Sequence, residues 1–205
     1  MLKAEDIIKT LGLEANDVLN IYIYGSFVHG CVQNHSDIDC MIISRKQEDP
    51  YQLNCDNIDA KVYNVNDFQA LLDAHDISAL ECYFLPDSLK LLEQHVFDLK
   101  LDLEKLNLSI SNSANNSYVD AKKRLTISKD YNPNVAKKSL FYSIRILVFG
   151  SQIAKYKKII NYTAANIYWG MIMTNTETKW EGYNNLYNSI FNELSTVFKK
   201  GAQLL

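Results

Sequence analysis

Hydrophobic and polar positions along the first half of the chain switch between two periods. Residues 19–24 (LNIYIY) carry β-branched and aromatic side chains at strand spacing and stop at Gly25-Ser26. Residues 37–44 (DIDCMIIS) form a second strand candidate. Residues 58–63 (IDAKVY) form a third, with Ile58, Ala60 and Val62 on one face and Asp59, Lys61 and Tyr63 on the other. A short helix is expected over 3–11, and the span after Ser26 leaves room for one more brief helix. Asn66 is expected to cap a helix that runs to about His75.

The second half reads as helical. Apolar residues of 85–106 recur at helical spacing. Residues 107–116, rich in Ser and Asn, are the best candidate for a linker or loop. A short helix is expected over 118–128. Pro133 sits where a first helical turn begins, and the helix continues over 134–157. Thr163 or Asn161 can cap a helix that ends near Met173. The last helix is expected from about Thr178 to about Lys200, with Gly201 as its stop. No internal repeat is visible. The pattern is that of an α+β chain divided into residues 1–106 and 107–205. The helices at 85–106 and 134–157 are expected to cover the sheet face away from the carboxylates.

Composition narrows the class. With 205 residues, 47% of them hydrophobic, and only 7 Gly and 3 Pro, the chain can bury a real core. Its apolar stretches fall well short of the roughly 20 residues a membrane span needs. The start, MLKAEDIIKT, has early acids and no long apolar run, so no signal peptide is expected and the expected location is the cytoplasm. Cys31, Cys40, Cys55 and Cys82 form no C-x-x-C pair, which argues against a disulfide framework or a zinc site. Cys40 reads as a small core residue.

Charge is distributed unevenly. Residues 1–104 hold 7 Lys and Arg against 19 Asp and Glu, and residues 105–205 hold 14 against 5, for nets of −12 and +9. An acidic half can hold metal ions and a basic half can hold phosphates. Two ordinary, mutually attractive surfaces would give the same split. The functional version of this reading has the two halves facing one another across a cleft with nucleotide between them.

The informative chemistry lies at Gly25-Ser26 and Asp37-Ile38-Asp39. Residues i and i+2 of a strand share a face, so Asp37 and Asp39 present two carboxylates side by side. That arrangement is costly unless a cation neutralises it, and paired hard oxygen ligands suit Mg²⁺ together with substrate phosphates. Gly25 permits close backbone approach to a phosphate, and Ser26 adds a hydroxyl and an N–H.

An apolar strand, Gly-Ser, about ten residues, then Asp-apolar-Asp-apolar resembles the signature of the nucleotidyltransferase superfamily that includes DNA polymerase beta. The resemblance covers residues 15–65 firmly. More loosely, 68–86 and 137–154 are similar to small nucleotidyltransferase-domain proteins of phages and bacteria. It implies a small mixed sheet flanked by helices, a catalytic domain over 1–106 and a helical bundle after it. Family members add a third carboxylate on a neighbouring strand; Asp59 is the first choice and Asp56 the rival. Attack of an acceptor hydroxyl on the α-phosphate of an NTP such as ATP, releasing pyrophosphate, is implied. Two Mg²⁺ (or Mn²⁺) ions on Asp37, Asp39 and Asp59 would clamp the attacking and leaving oxygens.

In the superfamily a Lys with a nearby Ser on a helix of the second domain contacts the triphosphate. Lys138 and Ser139 match, with Arg145 in support; an amphipathic helix with solvated lysines is the plain alternative. Lys122-Lys123-Arg124 can track a nucleic-acid backbone, though a solvated face is the commoner meaning. His29 and His35 flank the loop between the motif halves and read as exposed. Glu81, in an apolar helical setting, reads as a buried, paired acid. Tyr162, Tyr168 and Trp169 read as core, with base stacking as the alternative. The sequence names no acceptor, base preference or oligomeric state. An inactive nucleotide-binding protein, or a toxin–antitoxin partner, on the same fold is the competing reading.

Overall fold

The computed structural model describes residues 2–32 and 36–203. The chain divides into two compact units, residues 1–100 and 101–205.

The first unit is built on five strands. In chain order its elements are α1 (Ala4–Thr10), β1 (Val18–Tyr24), α2 (Ser26–His29), β2 (Ile38–Ser44), β3 (Tyr51–Cys55), β4 (Ile58–Asn64), α3 (Val65–Asp73), α4 (Ile77–Tyr83) and β5 (Lys90–Glu93). The strand order is β3-β4-β2-β1-β5. β2 and β4 run parallel, and every other pair is antiparallel, so the sheet is mixed. Ile21, Ile23, Cys40, Ile42, Ile58, Ala60 and Val62 fill one face and are all buried. On the other face Phe68 of α3 stacks on Tyr22 at 6.0 Å and meets Phe97 at 4.7 Å, so α3 covers that side. The alternation expected over 58–63 is present, with Ile58, Ala60 and Val62 inward.

Local chemistry sets the helix starts. Asn64, not Asn66, caps α3: its Oδ1 accepts from the Asp67 N–H at 2.8 Å. Asp76 caps α4 by accepting from the Ser78 and Ala79 N–H groups.

Two strands depart from the sequence reading. β3 is an edge strand with three of its five residues exposed, so it carries almost no apolar alternation. A tight turn at Asp56-Asn57 joins it to β4, with Asp56 at φ 52°. β5 replaces part of the helix expected over 85–106. That segment instead pairs with β1, and Asn20 locks it there. The fully buried Asn20 accepts from the Gln94 and His95 N–H groups and donates to the His95 carbonyl. A few leucines at short spacing do not distinguish a helix from a strand. The helix expected to cover the sheet from this segment is therefore absent.

The second unit is helical: α5 (Leu103–Thr126), α6 (Pro133–Tyr156), α7 (Asn166–Met173) and α8 (Trp180–Gln203). The expected loop over 107–116 and the short helix over 118–128 are one continuous helix, α5. Leu106, Ile110, Ala114 and Ala121 make a buried stripe on α5, and packing against α6 outweighs the poor helix propensity of Ser and Asn. Gly150 of α6 lets the helices close up, since a Cβ there would collide with Ile110 of α5 and crowd Phe198 of α8. Asn132 caps α6 with Pro133 in its first turn. Gly201 does not stop α8, which continues to Gln203. Among the described residues no helix is long and apolar enough to cross a membrane. All four cysteines are free, and Cys40 is fully buried.

Candidate active site

The carboxylates come together through sheet register. Tyr24 of β1 pairs with Asp39 of β2, Asp39 pairs with Asp59 of β4, and Asp59 pairs with Asn54 of β3. Residues opposite one another on paired strands share a face, so Tyr24, Asp39 and Asp59 form one row across the sheet. Asp37 lies just before β2 and is exposed. Asp56, the alternative third acid, sits in the turn before β4 and is exposed. Register thus brings Asp59, and not Asp56, beside Asp39.

Asp39 is the electrostatic centre of the row. Its pKa is raised, first by burial, with the Asp59 and Asp37 carboxylates adding to the shift. A hydrogen bond from the Ser26 backbone N–H and the positive charge of Lys61 oppose it. Tyr24 is raised too, chiefly by burial and then by the charges of Asp39 and Asp59 among its neighbours. Gln52, on the edge strand, donates from Nε2 to Asp59 Oδ1 at 2.7 Å and fixes one oxygen of that acid.

Gly25 ends β1 at φ 71°, ψ −145°, a region open essentially to glycine alone. A Cβ at this position would land on the Asp39 carboxylate. The Gly-Ser turn and the second acid of the D-x-D are therefore one interlocked structure. The family model described as Polymerase beta, Nucleotidyltransferase matches residues 5–130. The chain belongs to this family. No curated protein matches it at a significant level.

For a nucleotidyltransferase domain the donor set is chemically suited to a divalent cation. It consists of hard carboxylate oxygens, one of them made less acidic by burial and by its neighbours, backed by a glycine cradle. Among the described residues no group of three or more His, Cys, Asp or Glu side chains is placed to hold a metal ion by itself.

The second unit separates the residues that adjoin in sequence. Lys138 is exposed, whereas Ser139 is buried and its hydroxyl donates to Asp120 Oδ2 at 2.7 Å. Lys137 donates to the Met173 and Asn175 carbonyls, tying α6 to the end of α7. Lys138, Tyr142 and Arg145 follow one helical row, and the Arg145 guanidinium lies 4.7 Å from the centre of the Tyr142 ring. In the 122–124 cluster Lys122 and Lys123 are exposed, while Arg124 turns back to Asp120 at 3.4 Å. Tyr162 packs on Phe149 and Trp169 on Phe141, and both are half-buried.

One histidine reading differs from expectation. His35 lies outside the described residues. His29 is buried rather than exposed, and its Nε2 lies 2.9 Å from Glu81 Oε2, so Glu81 is the buried, paired acid its setting suggested. Gln52 and Lys61 carry no functional signal in the sequence, and Tyr24 stands there only as the strand residue before Gly25-Ser26. Their only signal is register: each lies level with, or two residues from, a residue of the D-x-D row.

Proposed function

We propose that the protein transfers a nucleoside monophosphate from an NTP to an acceptor hydroxyl and releases pyrophosphate. The observation that carries this reading is the register pairing of Asp39 with Asp59, backed by Gly25. Family membership supports the reaction class.

Asp37, Asp39 and Asp59 are the residues that would hold Mg²⁺ or Mn²⁺. Bound there, the cation supplies charge neutralisation and makes the acceptor hydroxyl more acidic. Gln52 occupies Asp59 Oδ1, so Oδ2 is the oxygen assigned to take the acceptor proton. Gly25 leaves its backbone open to close approach by the nucleotide phosphates, and Ser26 holds Asp39 in place. Lys138 and Arg145 are assigned to the negative charge of the departing pyrophosphate. The Ser139 hydroxyl is committed to Asp120 inside the bundle and takes no phosphate role in this reading.

The test is to incubate the protein with each labelled NTP, Mg²⁺ or Mn²⁺, and a cell extract. Label in a small-molecule, protein or RNA fraction, dependent on the protein and the metal, is the expected result. NTP binding with no transfer to any fraction would favour the inactive nucleotide-binding reading. A stable protein complex with neither binding nor transfer would favour a toxin–antitoxin partner.

A further inference from the structure

The proposed chemistry makes no use of the buried pair His29 and Glu81. The two residues are 1% and 2% exposed, lie 52 positions apart, and approach to 2.9 Å. Burying a carboxylate against an imidazole carries a desolvation penalty, and apolar residues of similar volume often serve stability as well or better. Packing alone therefore does not account for the pair.

Its position does. His29 is the last residue of α2, a four-residue helix that begins directly after Gly25. A helix this short has no stability of its own and must be held by tertiary contacts. The His29 N–H donates to the Gly25 carbonyl at 3.1 Å, and the Cys31 N–H donates to the Ser26 carbonyl at 3.0 Å. The backbone of His29 thus closes the turn that Gly25 opens. Its ring reaches Glu81 in the middle of α4, a helix capped by Asp76 and buried at Ile77, Ala79, Leu80 and Cys82. The end of the turn is thus joined to a firmly packed element through the His29–Glu81 contact.

We infer that His29 and Glu81 are positioning residues: their contact fixes the Gly25–Ser26 turn, and through the Ser26 N–H it fixes the Asp39 carboxylate. The effect on turnover rests on the transferase reading above, whereas the effect on the turn does not. The pair touches neither substrate nor metal. Its influence is geometric, and a small misplacement of a reacting group costs up to about 10²-fold in rate.

The experiment uses the full chain with two readouts, amide hydrogen exchange and NTP turnover. In the double variant His29→Leu, Glu81→Leu, the melting temperature stays at or above that of the parent. Protection of β1 and β2 amides is kept, but exchange at residues 26–30 rises about tenfold or more. Turnover falls in kcat by about tenfold or more, with KM for the metal–NTP complex changed by less than about threefold. Glu81→Gln, which keeps an acceptor for the ring, restores most of both. Unchanged exchange at 26–30 in the double variant overturns the inference. So does a rise spread evenly over the first unit in step with a lower melting temperature. Should the double variant fail to fold, Glu81→Gln against Glu81→Ala decides: local protection kept in both overturns the assignment, and protection lost only in Glu81→Ala supports it. A parent chain with no turnover of any NTP sinks the transferase reading, while exchange still decides the positioning.

Discussion

The D-x-D strand and the K-K-S helix pose the same question with different answers. In each, a short spacing in sequence suggests polar groups acting together. On β2 and β4 a period of two and an in-register parallel neighbour place Asp39 and Asp59 level on one face. On α6 neighbouring residues point about 100° apart. Lys138 therefore faces out, while Ser139 is 9% exposed and bonded to Asp120. Strand motifs converge through pairing with other strands, whereas helix motifs converge only at spacings of three, four or seven. The row Lys138, Tyr142, Arg145 meets that condition, and the Lys138-Ser139 dipeptide does not.

The largest expected effect tests the strand half of this comparison. Asp37→Asn with Asp39→Asn should lower NTP turnover by at least about 10³-fold, the scale lost with a single electrostatic contact to a transition state. The fold should survive, because the acids repel one another without a cation. Turnover in the double variant within tenfold of the parent would remove these acids from the chemistry. Asp56→Asn is the matched control, since its turn position keeps it out of the row, and it should leave turnover unchanged.

Next comes Gly25→Ala. The backbone conformation alone costs about 1–3 kcal/mol in a non-glycine residue, and the new Cβ meets the Asp39 carboxylate. Denaturant melts should show that loss, and turnover should fall with it. In Gly25→Ala with Asp39→Gly the clash is relieved but the φ strain is not. Stability should therefore recover only in part, and full recovery would show that the glycine serves Asp39 alone.

How legible this was in the chain follows the same physics. β1, β2 and β4 could be read because buried strands of Val, Ile and aromatics carry their own signal. β3 could not, because an exposed edge strand such as YQLNC has no apolar face to advertise. β5 was masked by leucines that fit either period, and the contact that decides it, Asn20 to Gln94 and His95, spans over 70 residues. The 107–116 stretch looked like a loop by composition. Its apolar positions, Leu106, Ile110 and Ala114, step by four, and the packing partner is distant in sequence. At the site, Gly25, Ser26 and the acids were visible as a motif. Gln52, Tyr24 and the burial of His29 depend on pairings that no local pattern encodes.

A smaller effect sharpens the helix half. Ser139→Ala removes the hydrogen bond to Asp120 and should cost about 1 kcal/mol of stability, with NTP affinity unchanged. Lys138→Ala should behave in the opposite way, with affinity lowered several-fold and stability retained. Arg145→Ala should lose some of both, because its guanidinium also packs on Tyr142 and Phe149. Isothermal titration with a nonhydrolysable NTP, run beside thermal melts, separates the two classes. A Ser139→Ala protein that melts normally but binds nucleotide weakly would show that the serine reaches the phosphates despite its inward position.

The smallest effect concerns the charge on Asp39 in the metal-free protein. Its folded pKa lies above the unfolded value, mainly through burial and then through Asp59 and Asp37. Between those two pKa values the folded state binds more protons than the unfolded state, so stability falls as pH rises through that window. The stabilising contribution is fully present below the unfolded pKa and is gone above the folded one. Above that window the protein carries the full penalty of the charged carboxylate. Asp39→Asn removes that charge and keeps an oxygen to accept the Ser26 N–H. It should raise the metal-free melting temperature at pH 7, and the gain should shrink as pH is lowered toward the unfolded carboxylate range. With Mg²⁺ present the sign should reverse, because the cation stabilises only the parent. Melts of parent and variant at pH 4 to 7.5, with chelator and with Mg²⁺, measure all three trends. A variant that melts below the parent in chelator at pH 7 would show that the Asp39 carboxylate is held by favourable contacts stronger than the repulsion from its neighbours.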